Sequence, residues 1–307
     1  MAILEVENLK KSFGDKAVIK GLTFDMKEGE ILGFLGPNGA GKTTTLQMLL
    51  GILTPSSGSV TIMGDDLATH KSKILEKMNF SSTYTDLPWR LTVAENLTWT
   101  AWLYDIEDRK QRLDKIKSIF RLDKLWLQPF GSLSAGQRTR VNLARSMVNF
   151  PSILLLDEPT ASLDPEVAAY MREFFAAQRV KFNTSIILTS HNMAEVEELC
   201  DRVIILKDGL IVGNDTPANL AKRIEFSHLH LRVTKNKEQL NKLIAVRKLQ
   251  STITDGTFSI TIKEQLIPIF LYEITKKNIV YTEISIEKPS LEDYFLKIAK
   301  GGSSEAV

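Results

Sequence analysis

Disulfides are excluded first. The 307 residues contain one cysteine, Cys200, and a lone thiol closes no internal bridge and has no metal-site partner. It lies in Glu198-Leu199-Cys200-Asp201-Arg202, where a buried helix-end position is expected. Long apolar runs are missing as well. No stretch approaches the roughly 18 consecutive apolar residues of a membrane-spanning helix, and Met1-Ala2-Ile3-Leu4-Glu5 lacks the basic start and apolar core of a signal peptide. The expectation is a cytoplasmic chain whose membrane role comes through a partner. Charge of one sign is scarce too: 39 basic residues face 37 acidic ones, a net +2, which argues against a nucleic-acid backbone as partner. What remains is an ordinary globular composition, 43% hydrophobic and 25% charged, in a chain long enough for two domains.

Gly36-Pro37-Asn38-Gly39-Ala40-Gly41-Lys42-Thr43 fulfils every position of the phosphate-loop pattern G-x-x-x-x-G-K-[ST]. The apolar run Ile31–Leu35 before it reads as a buried strand, and Thr44–Leu53 after it reads as a helix, the context the pattern requires. Glycines let the backbone turn several N–H groups toward phosphate oxygens, and the helix start adds its positive dipole end. Lys42 is placed to reach the outer phosphates and the Thr43 hydroxyl to bind Mg²⁺, with Thr44 opening the helix.

Two strands are expected around Ile3–Phe13 and Val18–Phe24 with a turn at Gly14-Asp15, and a short one at Ser59–Met63. From about residue 92 to 148 the pattern turns helical and tryptophan-rich, and Trp99 and Trp102 read as core and subdomain packing. Ile153–Leu156 ends in Asp157 and Glu158, and Ser185–Ser190 has the same apolar form, as strands covered on both faces do. Strands alternating with helices predict an α/β fold with its ligand at the carboxyl ends of the strands.

Several further pieces occur in one fixed order. Leu133-Ser134-Ala135-Gly136-Gln137 resembles the signature motif of ATP-binding cassette (ABC) proteins. Leu156-Asp157-Glu158-Pro159 resembles their Walker B motif and Ser162-Leu163-Asp164 their D-loop. His191 stands where their switch histidine stands, and Phe13 where an aromatic residue stacks on adenine. The resemblance covers about residues 2 to 220. It implies a P-loop NTPase-type mixed sheet with a helical subdomain, with ATP and Mg²⁺ as cofactors. It also implies catalytic roles for Lys42, Glu158 and His191, and Mg²⁺ ligation by Thr43 and Asp157. Ser134, Ala135, Gly136 and Gln137 are then offered to a second cassette, so that ATP joins a head-to-tail pair. Two positions depart from the family: Ala135 stands for the more usual glycine, a small-for-small change, and a glutamine that contacts the metal is replaced by Thr83, with no glutamine between Gln47 and Gln111.

The cassette is expected to span 1–223, with its helical subdomain at about 92–148. A small α+β accessory or dimerisation domain then covers 224–300, in β-α-β-β-α-β order, and 301–307 forms a disordered tail. In that domain a helix from Lys263 is expected to be interrupted by Pro268. His228 and His230 share a strand face and read as a solvated or dimer-facing pair. Glu287–Phe295 is similar to the C-terminal segment of cassette subunits from drug, antibiotic or polysaccharide exporters. The expected function is therefore ATP hydrolysis powering such an exporter. The chain would pair with another cassette and sit on the inner membrane face through a separately encoded transmembrane permease. Two alternatives stay open: a soluble ABC ATPase acting on nucleic acid or ribosomes, and a regulatory nucleotide-binding module with little turnover.

Overall fold

The apolar runs form the sheets. The computed structural model describes residues 2–82, 86–160, 163 and 165–299, with the backbone alone at 178, 180–182 and 299. Thr83, Asp164 and the expected tail at 301–307 lie outside the described residues. Strands β1 (Ala2–Phe13) and β2 (Lys16–Lys27) make a hairpin turned at Gly14-Asp15, with Phe13 opposite Lys16. After β3 (Ile31–Leu35), buried along its whole length, come α1 (Lys42–Leu49), β4 (Ser57–Ile62), β5 (Asp65–Asp66), α2 (Lys71–Glu76) and β6 (Met78–Ser82). Helices α3 (Val93–Trp102), α4 (Arg109–Ile119) and α5 (Ala135–Ser146) fill the helical stretch. Then follow β7 (Ile153–Asp157), α6 (Pro165–Phe182), β8 (Ser185–Thr189), α7 (Met193–Leu199), β9 (Arg202–Lys207) and β10 (Leu210–Asp215).

The six-stranded sheet runs β10-β9-β3-β8-β7-β6. Its members from β9 to β6 are parallel and β10 is antiparallel to β9. A four-stranded antiparallel sheet, β2-β1-β4-β5, accompanies it. Side chains of both sheets share one core, which includes Leu4, Met26, Phe34, Ile62, Leu155 and Ile204. Because β3, β8 and β7 are adjacent, the loops leaving their carboxyl ends meet in one place. In register, Phe34 and Asp157 flank Thr189.

In the helical stretch α3 starts at a capping box. Thr92 accepts from Glu95 N, and Thr92 N donates to the Glu95 carboxylate at 2.7 Å. The expectation for the tryptophans is overturned. Trp99 and Trp102 are 67% and 64% exposed, and Leu103 beside them 76%. Spacing by three does put the pair on one face of α3, but the covered face carries Val93, Asn96, Leu97, Thr100 and Ala101. Backbone bonds also tie the segment before α3 to the one before α5: Phe130 N donates to Leu91 O (2.9 Å), Gly131 N to Trp89 O (3.0 Å), Val93 N to Gln128 O (3.0 Å) and Ala94 N to Trp126 O (2.9 Å).

The chain divides into two compact units between Pro217 and Ala218, six residues before the expected boundary, within α8 (Pro217–Lys222). The second unit contains β11 (Phe226–Lys235), α9 (Lys237–Val246), β12 (Gln250–Thr254), β13 (Thr257–Lys263), α10 (Ile267–Lys276), β14 (Val280–Glu287) and α11 (Leu291–Ala299). Its antiparallel sheet has the order β12-β13-β11-β14. Leu229, Leu231, Phe258 and Ile260 pack there beneath Leu240, Ile244, Phe270 and Ile274. Pro268 does not interrupt a helix. It sits in the first turn of α10, where a missing N–H costs nothing because that group has no helical partner. His230 Nε2 meets Glu287 at 3.1 Å and His228 Nε2 meets Asp293 at 3.6 Å, so each imidazole has a carboxylate partner.

Candidate functional site

The phosphate loop is shaped by its glycines. A Cβ on Gly36 would run into the Leu206 carbonyl, a backbone group that cannot swing aside, and Gly41 holds φ at 106° as the residue preceding α1. That left-handed turn starts the helix at Lys42, two residues earlier than the sequence suggests. Gly51, at φ 63° just past the C-cap, ends it early. Thr45 N closes the first turn on Gly41 O at 2.9 Å.

A cavity of about 780 Å³ opens over this loop. It is lined by Asn38, Gly39, Gly41, Lys42, Thr43 and Thr44, and by Asp157, Glu158 and His191 from the ends of β7 and β8. Sequence reasoning assigned all of these. Of the other expected nucleotide contacts, Gly36 and Pro37 act through their carbonyls, which accept from Lys42 Nζ at 2.5 and 3.3 Å. Ala40 is buried beneath the loop. Phe13 lies outside the lining, half exposed at the β1–β2 turn beside Lys16, with Lys11 Nζ 5.2 Å from its ring centroid.

Burial holds the Lys42 ammonium below the ordinary lysine range, while Glu158 and Asp157 pull it back up. A phosphate chain entering the cavity offers this cation better partners than two neutral carbonyls. Asp157 accepts from Thr189 Oγ1 at 2.6 Å. The same Thr189 hydroxyl accepts from Glu158 N at 3.1 Å, so one side chain fixes both acids. Glu158 has φ 53°, a left-handed conformation uncommon outside glycine and asparagine. This turns its carboxylate toward His191, whose Nε2 lies 2.6 Å from Oε1. The donor set fits Mg²⁺ carried in with a nucleotide. The protein supplies one hydroxyl, Thr43, and one carboxylate, Asp157, and Mg²⁺ commonly takes its remaining ligands from phosphates and water.

The signature residues form a separate place. Ser134 caps α5 and accepts from Gln137 N at 3.3 Å, and Gln137 Oε1 accepts from Ser134 N at 2.9 Å. Ser134 and Ala135 are exposed, with Gly136 and Gln137 half-buried, and none of the four lines the cavity. The cap sets the start of α5 at Ala135.

Sequence reasoning missed Lys16 and Lys20 on β2 and Asp208 in the β9–β10 turn, all of which line the cavity. It missed Thr189, Ser190, Thr160 and Glu195 as well. For Glu195 there was a signal, since Asn192-x-x-Glu195 is capping spacing at a helix start, and Asn192 does accept from Glu195 N at 3.3 Å.

Known proteins share this sequence pattern and fold. The profile of the family described as "ABC transporter" matches residues 19–161. The bacitracin transport ATP-binding protein of Bacillus licheniformis is 31% identical, over 98% of each chain. The Nod factor export ATP-binding protein I of Rhizobium sp. (strain N33) is 31% identical over 96% of each chain. The solved structure of an ATP-binding subunit of an ABC transporter superposes with a TM-score of 0.66 at 26% identity, over 72% of this chain and 92% of that one.

Proposed function

Because the chain belongs to the ABC transporter family as an ATP-binding subunit, we propose that it hydrolyses ATP to drive an exporter of the drug, antibiotic or polysaccharide type. One observation carries the hydrolytic reading: Lys42, Asp157, Glu158 and His191 line a single cavity above a glycine-built phosphate loop. Glu158 takes a proton from the attacking water as its oxygen bonds the γ-phosphorus and the bond to the bridging oxygen breaks. His191 donates to a γ-phosphate oxygen, and the Lys42 ammonium balances the charge on the outer phosphates. Thr43 and Asp157 would hold Mg²⁺, which would supply further neutralisation of the phosphate charge. Ser134 and Gly136 serve the nucleotide of a second cassette, so that ATP closes a pair. The names of the relatives, bacitracin transport and Nod factor export, support the class of cargo.

No helix among the described residues is long and apolar enough to cross a membrane. In our reading the transport path is a separately encoded permease, which holds this subunit on the inner face of the cell membrane. The exposed Trp99, Trp102 and Leu103 suit a cytoplasmic segment of that permease, since a cluster of large apolar side chains in water favours a partner. Co-expression with a multi-spanning protein encoded beside this gene tests the proposal. Trp99→Ala with Trp102→Ala should reduce co-purification by about tenfold or more, as anchoring aromatics at interfaces do, with ATP affinity of the free subunit unchanged. Full recovery of the complex would move the docking face elsewhere.

The second unit serves as an accessory or dimerisation module in this reading. Cutting the chain after Pro217 should leave ATP affinity within about twofold, or ~0.4 kcal/mol, because every residue lining the nucleotide cavity precedes the cut. A truncated chain that has a cooperative melt but binds no ATP contradicts this division of labour.

A further inference from the structure

Glu195 is a buried acid with no place in the mechanism above. It lies in the first turn of α7, is 2% exposed, and does not line the nucleotide cavity. Both of its oxygens are engaged by hydroxyls. Thr160 Oγ1 donates to Oε1 at 2.7 Å and Ser190 Oγ donates to Oε2 at 2.6 Å. The two hydroxyls come from different loops. Thr160 is two residues beyond Glu158, in the loop leaving β7, and Ser190 is the residue before His191, in the loop leaving β8. The Ser190 oxygen also accepts from Asn192 N at 3.1 Å, so the turn around His191 is closed on both sides by the same small network.

Burying a carboxylate is costly unless its lone pairs are satisfied, so a position that needed only helix propensity has no use for one here. What this acid achieves is a join between the flanks of Glu158 and of His191, whose side chains meet at 2.6 Å. We propose that Glu195 is a positioning residue for ATP hydrolysis: by bridging Thr160 and Ser190 it fixes the His191 imidazole relative to the Glu158 carboxylate. The proposal rests on the hydrolytic reading of the site. It predicts that losing Glu195 impairs the chemical step while nucleotide binding, which depends on the phosphate loop, persists.

The test compares the full-length parental chain with Glu195→Ala, Glu195→Gln and Thr160→Val, with Glu158→Gln as a reference. Glu195→Ala should lower kcat by about tenfold or more while KM and the nucleotide Kd stay within about threefold, the pattern of a lost transition-state interaction. Glu195→Gln should restore about a third or more of kcat, since the amide accepts from one hydroxyl and donates to the other oxygen. A merely structural role would not predict the companion result. The His191 ring proton signal in NMR should move in the Ala variant and return in the Gln variant, while those of His228 and His230 stay fixed. If Glu195→Ala keeps kcat within about twofold and leaves the His191 signal in place, or if the Gln variant is as impaired as the Ala variant, the proposal is overturned. Should the Ala variant fail to fold, Thr160→Val decides: a fall in kcat with a displaced His191 signal supports the bridge, and a parental rate removes it. A Glu158→Gln chain that hydrolyses at the parental rate sinks the hydrolytic reading itself, and the NMR signals then judge the bridge alone.

Discussion

Glu158→Gln should bind ATP as the parental chain does and stop hydrolysing it. The substitution keeps the shape and removes the charge, and with it the capacity to take a proton from water at neutral pH. A general base contributes about 10²–10⁴-fold to rate, so kcat should fall by at least ~100-fold. Nucleotide affinity should persist, because the phosphate loop and Lys42 are untouched, and the backbone bonds of residue 158 to Thr189 do not involve its side chain. Glutamine can still meet His191 by accepting at its amide oxygen. If ATP joins two cassettes and hydrolysis parts them, the variant should also accumulate as a dimer in ATP and Mg²⁺ and run as a monomer without nucleotide. Size-exclusion chromatography and a phosphate-release assay read both outcomes. Hydrolysis at the parental rate would remove Glu158 from its role.

Lys42→Ala removes a phosphate-loop cation and should act on binding first. Its ammonium rests against the Gly36 and Pro37 carbonyls, and a charged hydrogen bond of this kind is worth about 1.5–3 kcal/mol once a phosphate takes their place. Affinity for a fluorescent ATP analogue should therefore drop by about tenfold to a hundredfold. The fold should not suffer in proportion. Burial depresses the pKa of Lys42, so its charged form is less favoured in the folded chain than in the unfolded one. Below the ordinary lysine pKa, carrying that proton subtracts from stability instead of adding to it. Loss of affinity with a melting temperature close to the parental one is the expected signature. Unchanged affinity would place Lys42 away from the phosphates.

The phosphate loop, Asp157, Glu158 and His191 were legible because each is defined by a spacing and by the end of an apolar strand, and both are local properties of the chain. The sheet order then brings them together without further information. Trp99 and Trp102 were misjudged because helical spacing says that two residues share a face and leaves open whether that face is covered. Pro268 was misplaced by one turn, which at a helix start reverses its meaning. Glu195 stayed hidden for a different reason. Its role depends on Thr160 and Ser190, 35 and 5 residues away, and no periodicity relates those positions. Lys16 and Lys20 belong to the same class, since only the approach of β2 to the β9–β10 turn, where Lys20 N donates to Gly209 O at 2.9 Å, puts them at the cavity. At Thr83 the sequence shows the departure from its family and nothing of its geometry.

The backbone ladder between residues 89–94 and 126–131 has a mechanical meaning. Its rungs are main-chain amides and carbonyls, so the two segments form a strap, and the Asn96 amide adds bonds to the Pro88 and Leu91 carbonyls at 3.3 Å. The ladder ends just before Leu133 and Ser134, so it ties the stretch at Trp89 to the cap of α5. Substitutions at residues 89–94 and 126–131 therefore leave the main-chain rungs in place. Gly131 is the exception. A Cβ there would sit 2.9 Å from the Trp89 ring, so this one rung has no room for a side chain, and a larger residue would slacken the strap where it turns toward Ser134.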